Sequence, residues 1–145
     1  MTRVETALGS APTPEGWTLL EGVGAVERAP QPGEDPPLFR RSIVLSADRM
    51  RAGDDVAGYV AAQRATLAAL LPGFFVMEER SAENGARVLV YQIDPPEGDA
   101  LIQWQAYLSR GEEVVVITAT ALDADPGDLE DRFEAFVGGF VFGAA

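Results

Sequence analysis

A chain of 145 residues with 23 acidic and 11 basic side chains carries a net charge of −12, and its basic residues are all arginine, with no histidine, cysteine or lysine. That composition removes the usual proton shuttle and metal ligand, the thiolate and amine nucleophiles, and the base of a Ser-His-Asp triad. The excess of acid also works against nucleic acid and anionic membrane surfaces as partners, since both need local positive charge.

With 47% hydrophobic and 23% charged residues, the chain reads as a single globular domain with a real core. Residues 1–16, small and polar with Pro12 and Pro14, read as a flexible arm; the domain spans 17–142 and residues 143–145 form a tail. Trp17–Ala29 suits one or two short strands, with Gly22 and Gly24 marking a bend. Pro30–Pro37 (PQPGEDPP) is expected as a surface loop, because proline removes backbone donors and fixes φ. Phe39–Ser46 predicts a strand. Asp54 and Asp55 then cap a helix running to Leu71, with Val56, Tyr59, Val60, Gln63, Leu67, Leu70 and Leu71 on one stripe. Pro72-Gly73 ends it.

Four strands follow at Phe74–Ser81, Arg87–Ile93, Leu101–Ser109 and Glu112–Ala121, separated by turn residues at Asn84-Gly85, Asp94–Gly98 and Arg110-Gly111. A last helix near 126–140 opens with Asp125 as N-cap and Pro126 at the first helical position. Leu129, Phe133, Phe136, Val137 and Phe140 share its apolar face, and an exposed line of phenylalanines would invite aggregation, so they are expected in the core. Strands, a helix, four antiparallel strands and a helix make an α+β fold, a mostly antiparallel sheet carrying helices.

The carboxylate groupings are Asp54-Asp55, Glu78-Glu79, Glu112-Glu113 and Asp123/Asp125/Asp128. Paired carboxylates can hydrolyse glycosides or hold a divalent cation. However, Asp54-Asp55 sits at a helix start, where acid favours the dipole, and Glu112-Glu113 beside a turn. The Asp123–Asp128 stretch lacks the glycine position and closing glutamate of an EF-hand. No catalytic residue, metal site or cofactor is expected. Gly138-Gly139 and Gly143 follow no strand and open no helix, so they form no phosphate loop, and the tyrosines read as core or rim aromatics.

More informative is LIQWQAYLS. Ile102, Trp104, Ala106 and Leu108 point one way, as a core beneath a helix requires, while Leu101, Gln103, Gln105 and Tyr107 point the other. The neighbouring strand can present Thr118 and Thr120 on one face and Val115, Ile117 and Ala119 on the other, but strand register is not readable from these residues. A face mixing Gln, Thr, Tyr and aliphatics can accept an apolar segment while hydrogen-bonding its occasional polar groups. A plain amphipathic, solvated face is the simpler account.

An ordered set of short motifs runs through residues 39–142: SIVLS at Ser42–Ser46, a Y-x-x-x-Q helix in Asp55–Gln63, and LPGF at Leu71–Phe74. Next come the Q-x-Q strand Ile102–Tyr107, VITATA at Val116–Ala121 and a closing helix with phenylalanines, while Pro14 and Trp17 make a P-x-x-W opening. In these features the chain resembles the DcrB-related family of PsbP-like domains, which includes the Eag-type chaperones of bacterial type VI secretion. The resemblance implies a non-enzymatic α/β/α sandwich around an antiparallel sheet, whose face cradles apolar segments of a secreted effector, often in a homodimer. Carried over by position, Gln103 and Gln105 are partner-binding residues, and Tyr107 joins them because it points the same way. The PQPGEDPP loop departs from the family pattern. LpqN-like lipoproteins are more distant relatives, but the opening residues show neither an apolar signal segment nor a lipobox cysteine. No run approaches the ~20 apolar residues of a membrane helix. The expectation is therefore a cytoplasmic adaptor or chaperone, bacterial in source, that binds a protein client. The alternative is a small-ligand or lipid-binding domain with a pocket between sheet and helix.

Overall fold

The computed structural model describes residues 3–6, 8–15, 17–20, 24–27, 41–82 and 84–143. Its elements in chain order are β1 (Arg3–Glu5), β2 (Gly9–Pro12), β3 (Trp17–Leu20), β4 (Gly24–Glu27) and β5 (Ser42–Arg49), then α1 (Val56–Leu70). They continue with β6 (Phe75–Ser81), β7 (Arg87–Ile93), β8 (Leu101–Arg110), β9 (Glu113–Leu122), α2 (Leu129–Gly138) and β10 (Val141–Phe142). Gly22, Phe39 and the PQPGEDPP segment lie outside the described residues.

Seven strands form one sheet in the order β3-β4-β5-β9-β8-β7-β6, antiparallel at every junction. Side chains alternate across it, so each face builds a separate core. On one face Ile102, Trp104, Ala106 and Leu108 of β8 and Val115, Ile117, Ala119 and Ala121 of β9 pack under α2, which contributes Leu129, Phe133, Phe136 and Val137, with Phe140 just beyond it. On the other face Leu89, Tyr91, Ile93, Tyr107, Val114 and Val116 pack under α1 through Val60. A helix thus lies on each side of an antiparallel sheet, and the fold is α+β as the order of elements predicts.

Asp55 caps α1 by accepting the Gly58 N–H at 2.8 Å. Leu70 departs from the expected stripe: it is 73% exposed, while Leu67 and Leu71 on either side of it pack against the sheet. The second helix begins three residues later than expected. Gly127 has φ +58°, a left-handed conformation through which a helix does not run, so Pro126–Leu129 form a turn closed by Leu129 N–H to Pro126 C=O at 3.2 Å, and Asp125 N–H donates back to Leu122 C=O at 3.1 Å. Asp128 takes the N-cap position, but its carboxylate accepts from Arg41 at 2.7 Å and Arg132 at 2.9 Å rather than from helix amides.

The flexible arm expected over residues 1–16 is, in its described part, structured. β1 pairs with β2, and β2 pairs with β10, giving a second, three-stranded sheet. Val4 and Ala11 point inward and are buried to 2% and 0% exposure. Only these inward positions need be apolar, which is why the segment looks like an unstructured arm. Past the last strand, Gly143 N–H donates to Leu8 C=O at 2.7 Å, so the tail too is tied down at its first residue. No helix among the described residues is long and apolar enough to cross a membrane.

Candidate functional site

The hairpin register places the polar residues of β8 against specific neighbours. Gln103 lies opposite Tyr91 on β7 and Thr120 on β9, and Gln105 lies opposite Thr118. Residues directly opposite share a face, so Gln103, Gln105, Tyr107, Tyr91, Thr118 and Thr120 all stand on the α1 side. The three residues that the sequence singles out, Gln103, Gln105 and Tyr107, therefore come together.

They form two parallel hydrogen-bonded ladders. Tyr91 donates its hydroxyl proton to Gln103 Oε1 at 2.6 Å, and Gln103 Nε2 donates to Thr120 Oγ1 at 2.9 Å. Tyr107 donates to Gln105 Oε1, and Gln105 Nε2 donates to Thr118 Oγ1 at 3.1 Å. The amides are thus paired within the protein at one lone pair and one N–H each, with one of each to spare. The tyrosines are enclosed, at 0% and 1% exposure. Burial pushes both phenols well above the ordinary tyrosine range, since the phenolate would lose its hydration.

The face opens away from α1. Beneath the helix Leu89, Tyr91, Tyr107, Val114 and Val116 are buried, whereas Gln103, Gln105, Thr118 and Thr120 are half-buried. On the adjoining β5, Ser42 and Val44 stand opposite Thr120 and Thr118, both half-buried, and Ser46 is exposed. Among the described residues, this floor of amides, hydroxyls and one valine carries no ionisable group.

Elsewhere on the α1 side Arg87 stands opposite Tyr107 and Glu79 opposite Leu89, and charge borders this floor at the Asp48 end of β5. There Tyr59 of α1 donates to Asp48 Oδ2 at 2.5 Å and accepts from Gln63 Nε2 at 3.2 Å. Burial, then the Asp48 carboxylate, push the Tyr59 phenol up as well. Its ring stacks edge-on against Tyr107 with centroids 6.0 Å apart, so the Y-x-x-x-Q pair anchors α1 to one ladder.

The carboxylate groupings are occupied elsewhere. Glu78 and Glu79 pair with Arg80 and Arg64, Glu112 and Glu113 with Arg49 and Arg110, and Asp123 accepts from Gln92 at 2.8 Å. Partial burial works to raise the Asp128 pKa, but Arg41 and Arg132 outweigh it and hold the carboxyl below its ordinary range. Those two guanidiniums also flank the Trp17 ring at 5.9 and 5.8 Å. Among the described residues no three carboxylates converge as a metal site would require.

An open groove of about 530 Å³ lies between α1 and the start of β6, lined by Ala61, Arg64, Ala65, Ala68, Phe74, Phe75 and Val76. Phe75 is 63% exposed there.

Tyr91 is the member of the ladders that sequence reasoning left as a plain aromatic. The signal was present in the β7–β8 hairpin: pairing Ile93 with Leu101 across the Asp94–Gly98 loop necessarily sets Tyr91 against Gln103.

No family model matches the sequence, and no curated protein matches it. Among solved structures the chain is similar to PA94 of Pseudomonas aeruginosa, a protein of unknown function described as a candidate regulator, at TM-score 0.67 and 24% identity over 100% of this chain and 99% of that one. It is similar also to LpqN of Mycobacterium tuberculosis, involved in cell envelope biogenesis, at TM-score 0.64 and 20% identity over 92% of this chain and 82% of that one. These likenesses show a shared fold.

Proposed function

We propose that this chain is a non-enzymatic, cytoplasmic binding protein, an adaptor or chaperone that shields an apolar segment of a protein client such as a secreted effector, and that it needs no cofactor. The observation that carries this reading is the uncharged, half-open floor built around the two Tyr–Gln–Thr ladders. In a chain of net charge −12, a surface with no ionisable group among its described residues is a place where an apolar segment can lie without desolvating a charge. The spare amide groups can meet occasional polar atoms of that segment. The type of client comes from the resemblance of the chain's motifs to those of DcrB-related, PsbP-like domains of the Eag type, and a homodimer belongs to the same reading.

The test uses a fluorescent leucine–alanine peptide of about 20 residues, long enough for a membrane-type helix, with a central asparagine. The wild-type protein binds it, and the Q103E/Q105E variant, which places two carboxylates where the peptide must dehydrate them, loses at least about tenfold in affinity. Circular dichroism and melting temperature stay unchanged. Equal peptide binding by the folded variant refutes the site, and an unfolded variant assigns the glutamines to the core.

The groove between α1 and β6 supports a second reading, a small-ligand or lipid-binding domain. Organic extraction of the purified protein followed by mass spectrometry, with loss of the extracted molecule in Phe75→Asp, would favour that reading.

A further inference from the structure

The ladders have a direction, and the tyrosines set it. A buried hydroxyl must place its proton on an acceptor, and for Tyr91 and Tyr107 that acceptor is a glutamine Oε1. Reversing either amide would leave a buried phenolic proton facing an N–H. Each Nε2 is therefore turned toward β9, where its N–H donates to a threonine Oγ1. A threonine that accepts there keeps its own proton for a different acceptor. The threonine hydroxyl is the last group of each ladder and is half-buried on β9, the central strand, with Ser42 and Val44 of β5 opposite.

We propose that Thr118 and Thr120 are the groups that hydrogen-bond the bound segment, as donors, and that Gln103 and Gln105 are positioning residues that hold them in that role. This rests on the binding reading above. Residues two apart on a strand lie ~6.6 Å from one another, so the face presents two donors at about that spacing. The matching ligand is an otherwise apolar segment that offers hydrogen-bond acceptors, such as side-chain or unpaired backbone carbonyls, and carries no charge.

Two measurements test it. The first needs no ligand: proton NMR of the free protein reads hydroxyl exchange. Tyr91 and Tyr107 hydroxyl protons are expected to exchange slowly, and those of Thr118 and Thr120 to exchange rapidly with water. Slowly exchanging threonine protons coupled to glutamine Oε1 would overturn the direction of the ladders.

The second compares T118V/T120V, which keeps the side-chain shape, with T118S/T120S, which keeps the hydroxyl. Against the asparagine-containing peptide the valine variant is expected to lose at least about tenfold and the serine variant to stay within about threefold. In the wild type, exchanging the central asparagine for acceptor-only N,N-dimethylasparagine preserves binding, and exchanging it for leucine weakens it. If the double valine variant does not fold, the single variants T118V and T120V ask the same question one ladder at a time.

Wild-type affinity in the valine variants, with binding still lost in Q103E/Q105E, overturns this inference alone and makes the glutamines the direct contacts. Undiminished binding by Q103E/Q105E, or a wild type that does not bind the peptide, removes the reading of the face and this inference with it.

Discussion

Tyr91 and Tyr107 each bury a hydroxyl whose value lies in the amide that it orients. Tyr91→Phe removes the enclosed donor and leaves the half-buried Gln103 Oε1 without its partner. The expected cost is about 0.5–1.5 kcal/mol in urea melts, the net value of one hydrogen bond. A change below about 0.3 kcal/mol would mean that water already serves that oxygen. The same burial gives an alkaline signature. All three tyrosines of the chain hold their protons more tightly folded than unfolded. Their contribution to stability is therefore complete below about pH 10, the ordinary tyrosine value, and falls as pH rises beyond it. Phenolate absorbance near 295 nm should stay low to about pH 10.5 and rise together with unfolding. Free titration of all three near pH 10 in a folded protein would contradict the ladders. At this scale the alternation of LIQWQAYLS already separates Gln103, Gln105 and Tyr107 from Trp104, because side chains in a strand repeat every second residue. Their partners Thr118 and Thr120 were not readable, since which set of β9 faces them depends on register, and a shift of one residue reverses it.

Among the elements, those with strong periodicity or turn chemistry agree closely with their sequence signals, and those shaped by distant contacts do not. Arg87–Ile93 is a strand over the expected residues, and α1 is capped by Asp55 as its sequence predicts. Asp55→Ala should cost about 1 kcal/mol by removing the acceptor for the Gly58 N–H. The start of α2 departs from its sequence signal because Asp125-Pro126 is good cap chemistry locally, while the left-handed Gly127 delays the helix and Asp128 pairs with Arg41. A Cβ at Gly127 would come within 2.6 Å of Arg41 Nη1, a contact that no local propensity reports. The apolar face of α2 is buried as its spacing predicts, with Phe133 and Phe136 at 0% and 2% exposure, and Phe140, two residues past the helix end, at 7%. Phe136→Ala should cost about 3–5 kcal/mol in denaturant melts. A loss under about 1 kcal/mol would show that this side of the sheet collapses around the missing ring.

For the whole molecule, the order of elements is enough to recover the α+β class, because a helix between runs of strands has few ways to cover an antiparallel sheet. What that order hides is how the chain ends meet. β2 and β10 come from opposite ends of the sequence, and neither segment alone carries a strand signal strong enough to stand out. Their pairing sets Phe142 opposite Gly9 and carries Phe142 to an edge-on stack with Phe140 at 5.1 Å. Arg110 lies over the Phe142 ring at 4.9 Å. Gly9 is what lets the strands approach: a Cβ there would sit 2.3 Å from Val141 O and 2.8 Å from Phe142 Cα, both backbone atoms that cannot turn aside. Gly9→Val should therefore open the β2–β10 pair while leaving the seven-stranded sheet intact. The expected outcome is a lower melting temperature, together with faster amide hydrogen exchange at Gly143, whose N–H is held by Leu8. Because β7, β8 and β9 take no part in that pairing, peptide binding at the opposite face should survive. Unchanged exchange at Gly143 would show that the ends stay closed without glycine, and a simultaneous loss of peptide binding would show that the two faces of the sheet are coupled through it.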